Sequence, residues 1–179
     1  MKLAISLIIF SFFFSLEKDT ISFVSANPFS FKDIISNLEG QQKQKVFGYL
    51  TLPDGANEND KIPLVIGVAG SKDWSSHHLE YIDMYQSMGI ATFELQSFAS
   101  REVESTVGTQ VEVTTAMMIL DSYRAFEALL EHPVIDKDRV AITGWSLGGG
   151  VTLFSAWSPL KEVISPDLKF AAHLSYYPP

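Results

Sequence analysis

The sequence predicts a doubly wound α/β fold built on a mostly parallel sheet, and three observations carry that reading. Residues 63–69 (PLVIGVA) form an unbroken apolar run of strand length, as suits a strand covered on both faces. Strand-like runs alternate along the chain with segments whose apolar residues recur every three or four positions, the pattern of βα units. Residues 140–150 (VAITGWSLGGG) lead a β-branched run into G-x-S-x-G and out into a helix-compatible run. Ligands of such sheets bind at the C-terminal ends of the strands. That rule places Ser71, Glu94, Ser146 and Tyr177 near one edge, and Asp167 near the opposite one.

A chain of 179 residues suits one domain with a substantial core. With 46% hydrophobic and 19% charged residues it is globular rather than disordered. A net charge of −8 and a pI near 4.9 argue against nucleic acid and anionic membrane surfaces as partners. Cysteine is absent, which excludes disulfides, thiolate metal sites and a Cys nucleophile. No motif implies a cofactor or metal.

The N-terminus reads as a targeting segment. Lys2 precedes the apolar run 3–16, and Glu17-Lys18-Asp19 and a second apolar patch follow. Val24-Ser25-Ala26 then supplies the −3 and −1 positions of a signal-peptide cleavage site. Residues 1–26 are thus expected to be a signal peptide and 27–179 the domain. The apolar run is shorter than the roughly 20 residues of a membrane span. The expectation is an exported protein, periplasmic or secreted, without stable membrane insertion after cleavage; the charged interruption at Glu17-Lys18-Asp19 leaves an uncleaved anchor as the alternative.

Residues 27–44 show no clean periodicity, and 41–45 look like a solvated connection. Residues 46–52 read as a strand ended by Pro53-Asp54-Gly55. After strand 63–69 comes the loop Gly70-Ser71-Lys72-Asp73-Trp74. Ser75 or Ser76 would cap a helix carrying Leu79, Ile82, Tyr85 and Met88, with Gly89 as its stop. Residues 90–95 read as a strand and 96–110 as a polar loop. Residues 111–131 show the clearest helical period, with Ala116, Ile119, Leu120, Tyr123, Phe126 and Leu130 on one face. His132-Pro133 stops it. Residues 140–143 form the next strand and 147–157 a helix ended by Ser158-Pro159. Residues 168–177 read as a last strand.

At 144–148 the spacing has a mechanical meaning. The strand ends, the backbone turns sharply, and Ser146 is lifted above the sheet edge in a strained conformation. Gly144 and Gly148 stand where a Cβ would crowd neighbouring backbone. The helix that follows aims its free N–H groups and positive dipole end at the site, so the Leu147 N–H is placed to bind an oxyanion. The alternative is a Gly-rich β–α turn with a solvated serine.

Residues 142–149 resemble the nucleophile elbow of α/β-hydrolases of the dienelactone hydrolase-like group. Residues 64–70 resemble that family's strand before the oxyanion loop, Ser97-Phe98 with Arg101 its S-F-x-x-R loop, and 128–139 (ALLEHPVIDKDR) its approach to the elbow. The resemblance runs from about Val46 onward and implies an α/β-hydrolase fold with Ser146 as nucleophile. It implies Leu147 and Ser71 as backbone oxyanion donors and a small-molecule ester or lactone as substrate. Where the family usually has His-Gly, this chain has Ala69-Gly70; the donor is backbone, so the hole survives. Arg101 would either orient a substrate carboxylate or brace its loop through a salt bridge. Dienelactone hydrolases proper use Cys, so Ser146 favours a broader esterase.

A serine nucleophile needs a base, and the base needs an orienting acid. In this fold they follow the serine in the order Asp or Glu, then His. After Ser146 the chain holds Glu162, Asp167 and His173. Glu162 falls in a Pro-flanked connection. Asp167 lies about 25 Å from the catalytic edge, at about 3.3 Å per strand residue. His173 reads as a core histidine in mid-strand. The resemblance implies acid and base on loops after two further strands, so the expectation is an α/β-hydrolase fold with its last strands and helices missing. A Ser146–His77–Glu94 rescue has the wrong chain order, and its alternative is a solvated pair, His77 and His78, at a helix start. Losing the base of such a triad costs about 10⁶ in rate, so this chain should be nearly inert. The rival reading is a non-catalytic hydrolase-like fold that binds a small molecule or partner chain.

Overall fold

A computed structural model describes residues 18–57, 59 and 61–179. Six strands form one sheet in the order β1-β2-β4-β3-β5-β6. They are β1 (Asp19–Ala26), β2 (Lys43–Thr51), β3 (Ile62–Val68), β4 (Ala91–Leu95), β5 (Ile135–Trp145) and β6 (Ala172–Tyr176). The four from β4 across to β6 run parallel, while β2 is antiparallel to both β1 and β4. The expected mostly parallel, doubly wound α/β architecture is therefore present. The helices are α1 (Phe31–Asn37), α2 (Ser76–Ser87), α3 (Thr115–Leu129), α4 (Leu147–Phe154) and α5 (Ser158–Ile164).

The run 62–68 is central for the reason its composition suggests. Leu64, Ile66 and Val68 point into the main core with residues of α3 and α4 such as Ile119, Phe126 and Val151. On the opposite face Gly67 lies against Trp74 and Ile82 of the α2 side. A strand buried from both sides has no solvent face on which to place polar residues. The start of α2 is the expected one, while α3, expected from Val111, begins four residues later at Thr115. Ser75 caps α2, and Thr114 caps α3 by accepting a hydrogen bond from the Met117 N–H at 3.2 Å. Gly89, the expected stop, has φ +78°.

Several elements differ from the sequence reading. The unreadable segment 27–44 contains α1, whose start is fixed by a capping box between Ser30 and Asp33. The helix expected over 147–157 ends at Phe154. A separate α5 follows, with Pro159 in its first turn, where a missing N–H costs nothing. Pro159 thus starts a helix rather than merely ending one, and Glu162 is helical. The last strand is shorter than expected. The Leu168 N–H bonds back to Ser165 O in a turn, and Phe170 folds inward against Tyr123 and Phe126. His173 is no core histidine: β6 is a sheet edge among the described residues, and His173 is exposed there. The apolar run 3–16 lies outside the described residues. Asp19–Ala26, assigned on sequence to the end of the targeting segment, is strand β1, paired with β2 over all eight of its residues.

Candidate active site

β5 ends at Trp145 and α4 begins at Leu147, so Ser146 alone makes the turn between them. Its backbone has φ 51° and ψ −118°, a region that costs an L-residue on the order of 1–3 kcal/mol. The surroundings hold it there. The Ser146 N–H donates to Tyr176 O at 3.1 Å, and Ser146 O accepts from the Gly150 N–H at 3.0 Å. The glycines permit the approach: a Cβ on Gly144 would strike the Gly148 carbonyl, and one on Gly148 would strike the Val68 carbonyl. Trp145 is fully buried between two rings, stacked on His78 at 4.7 Å and on Tyr176 at 5.8 Å. The residue before the serine is thus clamped, which transmits rigidity to the turn.

Ser146 opens into a recess of about 350 Å³ lined with Gly70, Ser71, Asp73, His77, His78 and Tyr177. Of the two expected oxyanion donors, Ser71 lines the recess and Leu147 follows Ser146 in the chain. Leu147 is the first residue of α4, so its N–H has no carbonyl one turn earlier in the helix. Ser71 belongs to the loop after β3, whose Gly70 lies beside Ser146: a Cβ there would be 3.6 Å from the Ser146 Cβ.

Asp73, His77 and His78 share the recess with Ser146, yet their polar atoms are engaged elsewhere or left unpaired rather than bonded to it. Among the described residues no side chain hydrogen-bonds its hydroxyl. His77 shares the recess, yet its Nδ1 lies 2.9 Å from Ser75 Oγ and its Nε2 2.9 Å from Tyr177 Oη. His78 accepts the Ser75 N–H on Nδ1 at 3.3 Å. Burial, aided by the neighbouring His77, pushes its pKa down to about 4, so it is neutral and a weak base. Glu94 does not join the recess. It pairs with Gly67 in register and forms an ion pair with Lys18, so the His77–Glu94 rescue is not assembled. His173 stands opposite Ile142, four residues before Ser146, with Nδ1 near Thr152 O and Ser155 Oγ. Asp167 lies beside Lys137 and Asp138, at the opposite end of β5, as expected.

Arg101 requires a correction. Its guanidinium is buried and makes a forked ion pair with Asp121, at 2.7 Å from Nη1 and 3.1 Å from Nη2. The rest of its donors go to Asn27 Oδ1, Ser97 O and Ala26 O. A guanidinium so saturated has nothing left for a substrate carboxylate; Arg101 braces its loop. Sequence reasoning attached no role to Asp73. Its backbone is left-handed (φ 60°), it lines the recess, and burial raises its carboxyl above the usual range. An aspartate in a turn carries no local signal for such a position.

Known proteins with this arrangement point one way. The acetyl xylan esterase (AXE1) family profile matches residues 34–178. A candidate dienelactone hydrolase of Klebsiella pneumoniae superposes on 89% of this chain and 60% of its own, with TM-score 0.58 and 18% identity. Est1E of Butyrivibrio proteoclasticus, solved with ferulic acid bound, superposes on 68% of this chain and 46% of its own, with TM-score 0.53 and 17% identity. Dipeptidyl peptidase family member 2 of Caenorhabditis elegans is 25% identical over 147 residues. The chain spans 17% of the length of that relative and 60% of the Klebsiella protein. The solved structures share the α/β-hydrolase fold, and the profile match, covering most of the chain, establishes that this protein belongs to the acetyl xylan esterase (AXE1) family.

Proposed function

We propose that this chain carries the nucleophile half of a serine hydrolase that cleaves carboxylic esters or lactones of small molecules through an acyl-enzyme on Ser146. The observation that carries the reading is the backbone of Ser146, held at positive φ between β5 and α4 with its hydroxyl at the recess. A solvated serine in an ordinary turn has no use for that strain. In the proposed reaction the Ser146 oxygen attacks the ester carbonyl, and the Leu147 and Ser71 N–H groups take the oxyanion. Collapse releases the alcohol, and water then frees the acid. With no base hydrogen-bonded to Ser146 among the described residues, the 179-residue chain by itself is proposed to be nearly inert. Export through the apolar run 3–16 belongs to the same proposal and rests on Lys2 and the length of that run.

Covalent labelling with a fluorophosphonate probe, located by peptide mass, tests the chemistry, with Ser146→Ala as control. The full product of the gene is expected to label at Ser146, and the 179-residue chain at least 10³-fold more slowly. Equal labelling of the two would place a working base within these residues. Absence of labelling in both would end the serine-hydrolase reading. The rival, a non-catalytic binding fold, would then be favoured by the Ser146 hydroxyl, which has no side-chain partner among the described residues.

A further inference from the structure

β1 is built as a strand of the mature domain in every respect its side chains report. Its residues alternate, with Ile21, Phe23 and Ser25 turned inward and Thr20, Ser22 and Val24 outward. Phe23 meets Phe93 of β4, with ring centroids 6.5 Å apart. At its end the Ser25 hydroxyl donates to Asp121 Oδ1 at 2.6 Å, and Asp121 is wholly buried. Arg101 bonds Ala26 O and Asn27 Oδ1, and the Asn27 N–H donates to Gln42 O at 2.9 Å. Just before the strand, Lys18 pairs with the buried carboxylate of Glu94.

We infer that N-terminal processing leaves β1 in place: the bond after Ala26 is not the maturation site, and any cleavage lies before Asp19. Leader removal acts on an unfolded chain, so burial alone does not protect that bond. What the shortened product would lack decides the matter. β2 would become a bare edge with one row of backbone groups unpaired. Asp121 would lose the Ser25 hydroxyl, and Glu94, if also parted from Lys18, would be a buried carboxylate without its cation. A new α-ammonium at Asn27 would stand beside the Arg101 guanidinium, like charge against like charge. Val24-Ser25-Ala26 fits a cleavage pattern because outward Val24 and buried Ala26, the −3 and −1 positions, are both small enough for that rule.

The complete chain, produced in a host that exports it, gives the test. Intact mass of the folded protein is expected to place the N-terminus at or before Asp19, an unprocessed Met1 included. Folded protein beginning at Asn27 would overturn the inference. Hydrogen exchange on the same chain is expected to show amides within 20–26 exchanging at least 100-fold more slowly than unstructured peptide, and exchange at the unstructured rate would overturn it. Ser25→Ala is expected to lower Tm by roughly 5 °C, against about 1 °C or less for Thr20→Ala on the outward face. Identical Tm values for the two variants would mean that the clasp on β1 is not formed.

Discussion

The two edges of the sheet are built on opposite principles. At one end β1 is fastened from outside the sheet: Arg101 and Asp121, both buried, meet Ser25, Ala26, Ser97 and Asn27 in one network. At the other end β6 (AHLSY) is exposed or half-buried along its length, and its neighbours are mostly rings and backbone of the elbow. The first edge is held by charge in a dry place, and the second by stacking next to a recess. Loss of one partner should therefore be costly at β1 and mild at β6.

Asp121→Ala should have the largest effect. It leaves the Arg101 guanidinium buried without its counter-charge, and it removes the acceptor of both the Ser25 and Ser97 hydroxyls. A broken buried pair typically costs about 3–5 kcal/mol. Urea unfolding should show the midpoint falling accordingly. A loss under about 1 kcal/mol would mean that the network is not fastening the edge.

That network also shows where sequence reasoning stops. Residues 63–69 and the elbow were legible because the constraint is local: a two-sided strand must be apolar, and a tight turn must have Gly144 and Gly148. Arg101 was recognisable as a motif residue, but its alternatives stayed open. Its partner Asp121 lies in the middle of α3 with nothing in its neighbourhood to announce a buried carboxylate. β1 was hidden by a competing pattern, since small residues near a strand end also satisfy a cleavage rule. α5 was hidden because proline stops one helix and starts the next equally well. At the site, Ser146 and the Leu147 N–H follow from the strand-turn-helix pattern, while the role expected of Ser71 came from the family resemblance. The engagement of His77 with Tyr177 depends on two loops meeting, which spacing does not encode.

A pH titration should distinguish the two edges next. His78 stacks on Trp145, which in turn stacks on Tyr176 of β6. Its folded pKa, about 4, lies below the unfolded value of 6.5, so between those values the unfolded chain binds the proton and the folded chain refuses it. Its contribution is intact above pH 6.5, declines as pH falls toward 4, and changes no further below that. The full difference is about 3 kcal/mol. His78→Asn, which keeps an acceptor for the Ser75 N–H, should remove this slope while leaving the carboxylate titrations in place. Stability curves for the two proteins that stay parallel from pH 7 to pH 4 would contradict the assignment.

The smallest effect should come from Tyr177→Phe, and its smallness is the sharpest form of the contrast. Like Ser25→Ala, it deletes one hydroxyl and one hydrogen bond, here to His77 Nε2 at 2.9 Å. Both rings of that pair are exposed, so water replaces the lost partner on each side and no buried group is orphaned. Stability should change by less than about 0.5 kcal/mol. Ser25→Ala instead strips a donor from a carboxylate that water does not reach. Equal losses for the two variants, measured by thermal unfolding side by side, would show that β6 is fastened as firmly as β1 and that the edges differ in composition alone.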